Sequence, residues 1–257
     1  MSRDDDPQPR RRLDKQRADH LLVERGLAQT RSQAQGLLLA GRVYSGEKRI
    51  EKSGEMLAAD APLEVRGGER YVSRGGTKLE GALDGLELDV KGLECADLGA
   101  STGGFTDCLL QRGAAKVHAV DVGHGLLAAS LRNDPRVRVM ERTNARLLTA
   151  ELLGTQVDLV VVDASFISIG KLLTAIDAIL KPGGRLLALV KPQFEAGREE
   201  AARGRGVIRD PEVRARTIRD AEQAIREQGF AILGGADSKL PGPKGNVEYF
   251  VLAKKAG

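Results

Sequence analysis

Residues Cys95 to Thr106 read CADLGASTGGFT: an apolar run closes on an acid, Asp97, and then Gly99, Gly103 and Gly104 surround Ser101 and Thr102. A loop this poor in side chains holds a small molecule against bare backbone. A Walker-type phosphate loop needs Gly-Lys-Ser/Thr, and nothing here supplies the lysine or the metal-binding hydroxyl, so a nucleoside triphosphate is disfavoured. A dinucleotide fingerprint needs a second glycine where the pyrophosphate approaches, and that position is Ser101. S-adenosylmethionine (SAM) has no pyrophosphate. Its cationic sulfonium, zwitterionic amino acid and adenosine suit an acid at the strand end, Asp97, a bare backbone turn, and a second acid about 20 residues on for the ribose hydroxyls, the place of Asp121. The loop alone leaves the methyl donor and the dinucleotide both open.

The elements around the loop decide what else reaches it. LECADLG, KVHAVDVG, VDLVVVDAS and RLLALVKP are short apolar runs with a charge at their carboxyl ends, separated by the helical stretches GFTDCLLQRG, GLLAASLRN and KLLTAIDAILKPGG. Apolar strands alternating with helices predict an α/β fold, a parallel sheet covered on both faces. Ligands of such sheets sit at the carboxyl ends of the strands. Asp97, Asp121, Asp163 and Lys191 all fall there, and are expected to converge on one crevice. A lysine acts as a base only when desolvation or neighbouring positive charge lowers its pKa. Lys191 closes an apolar strand, and Lys78 opens the helical stretch TKLEGALDGL, where the positive end of the helix dipole disfavours an ammonium. Brought together, the two lysines would depress each other's pKa, while Asp163 and Glu248 would restrain that shift and hold them in place.

Composition sets bounds on the reading. The 257 residues suffice for a large α/β domain and a small companion. Cys95 and Cys108 stand in apolar stretches without CxxC spacing and are expected to be buried thiols. His20, His118 and His124 have no metal-ligand spacing, so no metal is expected. No apolar run approaches the roughly 20 residues of a membrane span, and the start MSRDDDPQPRRR lacks the apolar core of a signal peptide. A cytoplasmic protein is expected. A net charge of +4 is weak evidence for a polyanionic partner.

The distribution of charge is more informative. From Arg10 to Lys52 there are eleven Lys or Arg against five Asp or Glu. ADHLLVERGL predicts a helix stopped by Gly26, TRSQAQGLLLAG a second with Thr30 as N-cap, Gln33 completing a capping box and Gly41 as the stop, and RVYSGEKRIEKSGEM short β pieces. This order of helix, helix and hairpin resembles the S4-type RNA-binding domain over residues 13–66. The resemblance implies that Arg31, Arg42, Lys48 and Arg49 contact RNA phosphates, which position a protein without reading sequence. With eight aromatic residues and no Trp, shape and phosphate readout is expected over base stacking.

Six further stretches resemble the motif series of the TlyA family: SRGGTKL, LGASTGGFT, LRNDPRVRVMERTNAR, VDLVVVDASFISI, LVKPQFEAG and LPGPKGNVEYF. These are ribosomal RNA ribose 2'-O-methyltransferases that join an S4-type domain to an FtsJ-like domain, and some members are called haemolysins. The resemblance implies a Rossmann-like SAM-dependent methyltransferase sheet at residues 77–257 and a linker at 67–76; the Arg and Asp content of residues 1–12, with no helical stripe before Leu13, predicts a disordered arm there. It implies SAM held by Gly99 to Gly104, with Phe105 beside the methionine part, Asp121 at the ribose and Asn144 near the adenine. It also implies a catalytic set of Lys78, Asp163, Lys191 and Glu248, with ribosomal RNA or a ribosomal subunit as partner and no membrane. A cytidine of the large-subunit (23S) RNA is the expected main target, the small-subunit (16S) RNA a poor one. Two other classes of function compete. A membrane-active cytolysin would need an apolar insertion segment, whereas PEVRARTIRDAEQAIREQG predicts a charged surface helix with a stripe of Val213, Ile218, Ala221 and Ile225. A non-catalytic ribosome-binding factor would leave the strand-end charges without a role.

Overall fold

The computed structural model describes residues 14–67, 70–197, 200, 204–242 and 244–257. The arm expected at 1–12 lies outside them. The chain divides into two compact units, Met1–Gly68 and Glu69–Gly257.

In the smaller unit, β1 (Lys15–Arg17) leads directly into α1 (Ala18–Glu24), and α2 (Arg31–Leu39) follows. Gly26 takes φ +70° after the first helix and Gly41 φ +67° after the second, the left-handed stop each was expected to provide. Thr30 accepts from the Gln33 amide at 3.2 Å, while the Gln33 side chain reaches one residue past the expected box to the Gln29 amide. Strands β2 (Val43–Ser45), β3 (Lys48–Ile50), β4 (Met56–Ala58) and β5 (Leu63–Val65) complete the unit. They form an antiparallel sheet ordered β3-β2-β5, while β4 pairs with β1. Ala18, Leu22, Ala34, Leu38, Val43 and Ile50 make its core. Beside them Asp19 is fully buried. It accepts two hydrogen bonds from Arg17, one from Arg31 at 2.9 Å and one from Gln35 at 3.2 Å.

The larger unit is built on a seven-stranded sheet. Helix α3 (Arg74–Gly85) precedes β6 (Glu94–Leu98), α4 (Gly104–Gln111), β7 (Lys116–Val120), α5 (Ala129–Arg132) and β8 (Val137–Met140). Then come α6 (Ala150–Leu153), β9 (Val157–Val162), α7 (Leu173–Ile179), β10 (Leu180–Val190) and α8 (Pro192–Glu195). Helix α9 (Pro211–Glu227), β11 (Phe230–Asp237) and β12 (Tyr249–Lys255) end it. The sheet order is β11-β12-β10-β9-β6-β7-β8. Strands β6 to β10 are parallel, as the apolar runs of β6, β7, β9 and β10 predict; β8 is not among those runs, and β12 runs antiparallel to both neighbours. One face packs on Ile176, Ile179, Ala221 and Ile225, the other on Leu79, Leu83, Phe105 and Leu109.

Several local expectations shift. Residues 70–76, read as linker, fold onto the larger unit: Tyr71 is buried and the Val72 amide donates to Asp107 of α4. Helix α3 starts at Arg74, so Lys78 lies a full turn inside it and not at the dipole's end. In α9 the buried stripe is Thr217, Ala221 and Ile225. The Thr217 hydroxyl donates to the Arg214 carbonyl, which satisfies it in place. Among the described residues no helix is long and apolar enough to cross a membrane.

Replacing Asp19 with Ala leaves Arg17, Arg31 and Gln35 without their shared acceptor. Amide hydrogen exchange in α1 and α2 is expected to show opening easier by about 1–3 kcal/mol at neutral pH. The Arg17 hydrogen bonds hold the Asp19 carboxyl well below the usual carboxylate range, against the cost of its burial. Its contribution is therefore present near neutrality and lost as pH falls through that lowered pKa, so wild type and variant should converge in strong acid.

Candidate active site

The chain passes from β6 outward to β7 and β8, then returns to the other side of β6 as β9. The reversal leaves the carboxyl edge uncovered between β6 and β9, where open α/β sheets bind ligands. A cavity of about 860 Å³ lies there, within the range of ligand sites. Its wall includes Asp97, Gly99, Ser101, Gly104 and Phe105 from the loop, and Lys78, Asp163, Lys191 and Glu248. Asp121, Gly103 and Asn144 are not on that wall.

Backbone and one carboxylate shape the loop. The Gly99 and Ala100 amides both donate to the Val120 carbonyl, at 2.9 and 3.1 Å. Gly99 has φ +88°, and a Cβ there would stand 2.9 Å from the Asp163 carbonyl oxygen, so β6 and β9 approach too closely for a side chain. Gly103, at φ +97°, faces Leu127 and Leu131, which makes it a packing glycine. Ser101 takes φ +48°, a conformation side chains rarely adopt. Asp121 holds it there: its carboxylate accepts from the Ser101 amide at 2.8 Å and the Gly123 amide at 2.7 Å. Asn144 is exposed, and its side-chain oxygen accepts from the Arg146 amide.

Asp97 is fully buried. One oxygen accepts from the Thr106 amide at 3.0 Å and the Thr106 hydroxyl at 2.7 Å; the other, Oδ1, has no partner among the described residues. Burial pushes its carboxyl up to about 7, with Asp163 and Asp121 adding to the rise and the Thr106 bonds opposing it.

Two ion pairs share the same cavity. Lys78 Nζ donates to Glu248 Oε2 at 2.5 Å, with the residues 7% and 1% exposed. Lys191 Nζ lies 2.5 Å from Asp163 Oδ1 and donates to the Ser165 hydroxyl at 3.0 Å. Asp163 Oδ1 has no partner of hydrogen-bond geometry, so the Lys191–Asp163 contact is a close charge pair with its lone pairs misaligned. Each lysine has its own carboxylate, the holding role expected of Asp163 and Glu248. Together they place donors and acceptors where a weakly acidic hydroxyl could be held and relieved of its proton.

Comparison with known proteins agrees with this geometry. Residues 71–255 match the model of the FtsJ-like methyltransferases, and residues 16–61 match the S4 domain. The 16S/23S rRNA (cytidine-2'-O)-methyltransferase TlyA of Mycobacterium tuberculosis is 49% identical over 237 residues, covering 91% of this chain and 88% of that one. This chain belongs to the TlyA family of FtsJ-like methyltransferases. Hemolysin A of Brachyspira hyodysenteriae is 40% identical, over 91% of this chain and 97% of its own. A solved structure from Streptococcus thermophilus, described as a hemolysin, superposes with a TM-score of 0.71 at 40% identity, over 95% of this chain and 90% of that one.

Some features of this TlyA-family site escape a reading of strand ends. Ser165 follows Asp163 too closely in sequence to stand out. Phe166 is 90% exposed at φ +66°, on the cavity wall, with its ring tilted against Phe194 at 5.1 Å. Three of five phenylalanines, Phe105, Phe166 and Phe194, thus line this cavity, so scarcity of aromatics does not remove them from the site. Buried Asn246 had only its place in LPGPKGNVEYF as a signal. On the smaller unit, Arg31 is tied to Asp19, Lys48 to Glu55 at 2.6 Å and Arg49 to Glu51 at 3.6 Å. Arg42 is half-buried, and no carboxylate partners it among the described residues.

Asp97 gives the free protein a pH signature. Its folded pKa is raised above the unfolded value, so its contribution to stability is complete in acid and declines as pH rises from about 4 through about 7. Urea unfolding without ligand should show Asp97→Asn gaining on wild type across that window.

Proposed function

We propose that this chain is a SAM-dependent methyltransferase acting on a cytidine ribose 2'-hydroxyl of ribosomal RNA, in the cytoplasm where that RNA resides. The observation that carries the proposal is the cavity in which two lysine–carboxylate pairs, one fully buried and one partly, adjoin the Gly99–Gly104 loop. Relatives whose names specify rRNA cytidine 2'-O-methylation, and the match to the S4 domain, support the acceptor.

The residues fit SAM. The unpartnered, buried Asp97 Oδ1 suits an ammonium group, and an ionised partner there offsets the cost of burying the carboxylate. Phe105 and the bare backbone from Gly99 to Gly104 suit the methionine part, and Ser101 disfavours a pyrophosphate. Both Asp121 oxygens hold amides, yet each keeps a lone pair for a ribose hydroxyl. Asn144 keeps its side-chain amide free to meet adenine. Bound SAM supplies an electrophilic methyl group.

The remaining work falls to this chain's side chains. Lys191, between Asp163 and Ser165, contacts the acceptor hydroxyl; its deprotonated amine takes the hydroxyl proton, and Asp163 stabilises the ammonium that results. Asp163 holds the Lys191 side chain in place, and Lys78 with Glu248 orients the ribose. The exposed Phe166 ring offers a base a stacking face.

Lys191→Ala and Lys78→Ala should each lower methyl transfer to ribosomal subunits by about 100-fold or more. Calorimetry should find SAM affinity nearly unchanged, because neither lysine belongs to the donor half. A substantial residual rate of labelled methyl incorporation in Lys191→Ala would refute its role. The acceptor itself is tested by mapping 2'-O-methyl sites in 16S and 23S RNA from cells with and without the protein: at least one cytidine should lose its methyl group.

A further inference from the structure

Four cationic side chains line the cavity: Arg74, Lys78, Lys191 and Lys244. Lys78 and Lys191 are neutralised by Glu248 and Asp163. Arg74 and Lys244 have no carboxylate partner among the described residues, and both are exposed. Neither cation is needed by the two lysine–carboxylate pairs.

Their placement is built into the fold. Arg74 and Lys78 stand at i and i+4 on α3, on one face and a turn apart. Arg74 Nη2 donates to the Pro241 carbonyl at 3.0 Å, which fastens it to the segment that carries Lys244. That segment is a closed turn: the Gly242 amide donates to the Asn246 carbonyl and the Gly245 amide to the Gly242 carbonyl, each at 2.9 Å. Buried Asn246 anchors it, accepting from the Ile208 amide at 2.9 Å and donating to the Gly206 carbonyl at 2.8 Å. Glu248 Oε1 packs on Gly242, where a Cβ would come within 2.6 Å. The two unpaired cations therefore flank the Lys78–Glu248 pair, one along α3 and one along the turn.

We infer that Arg74 and Lys244 seat the phosphodiester on the 3' side of the ribose that is methylated. This rests on the RNA-methylation reading above. In a ribonucleotide the 2'-hydroxyl and the 3'-phosphodiester hang from neighbouring carbons, whereas the 5'-phosphate leaves from the far side of the ring. A hydroxyl held by those pairs thus brings its 3'-phosphate toward cations about one helical turn away. A guanidinium fork can span two phosphate oxygens, and a lysine adds a point charge. Asn246 is then a positioning residue, since it acts through the turn.

The test uses the full chain, unmethylated ribosomal subunits, and Arg74→Gln, Lys244→Gln, the double variant and Lys244→Arg. Each Gln variant should raise the KM for subunits about tenfold, the scale of a lost charge-assisted hydrogen bond. Each should also make the salt dependence shallower by about one unit of slope. SAM affinity should stay unchanged, and Lys244→Arg should recover most of the loss. A fall in SAM affinity would instead assign the cations to the donor's carboxylate and overturn the seat. Unchanged KM and salt slope would overturn it as well. For the side of the ribose, an RNA fragment that wild type methylates is given one neutral methylphosphonate. At the 3' linkage it should weaken wild type and add little to the double variant; an equal effect at the 5' linkage overturns the assignment. If wild type methylates no subunit, the function reading itself fails, a result distinct from active enzyme with indifferent variants.

Discussion

Two lysines buried at one sheet edge must each find a counter-charge, and the larger unit is organised around that requirement. An ammonium taken out of water without a partner costs several kcal/mol. Lys78 and Lys191 avoid this only if α3, the ends of β9 and β10, and the start of β12 meet at one place. The antiparallel direction of β12 makes the meeting possible. Val190 of β10 pairs with Tyr249 of β12, so the next position on each strand is Lys191 on one and Glu248 on the other. A parallel β12 would deliver its far end to this edge and leave Glu248 at the opposite side of the sheet.

The glycine-loop side of the cavity follows a different logic. Backbone amides and one carboxylate, Asp121, fix the loop, and Ser101 is held at positive φ by that carboxylate. Asp97, in contrast, is buried with an oxygen unpartnered and a pKa raised toward neutrality. Such a group costs stability unless an ionised partner satisfies it. Strain and unsatisfied polarity of this kind concentrate where a ligand completes the structure.

In the smaller unit, several basic residues do structural work. Arg17 and Arg31 partner buried Asp19, and half of the Arg31 side chain remains accessible. A basic surplus in sequence therefore overstates the free charge available to a nucleic acid, because part of it is committed to internal acids. The surface lysine Lys48 is 70% exposed beside Glu55, and surface pairs of this kind contribute little to stability.

Much was legible in the sequence because it depends on neighbours along the chain. Apolar runs ending in a charge marked the parallel strands, and the glycines after α1 and α2 marked their stops. The spacing of Asp97 and Gly99 marked a glycine-rich loop at a strand end, and a cavity adjoins it. The reversal of β12 was not legible, since its apolar run is the same in either direction and only its hydrogen-bonded neighbours choose one. Lys78 was placed at a helix start because α3's first turn, RGGT, has weak helix propensity; packing of Gly76 on Tyr71 and of Gly104 on α3 carries the helix back to Arg74. The pairing of Lys78 with Glu248, the tie of Arg31 to Asp19, and the exposure of Phe166 are likewise contacts between distant segments or matters of burial. Local pattern determined which residues could do chemistry; only the packed sheet, by desolvating some charges and leaving others in water, decided which of them are neutralised and which stay free.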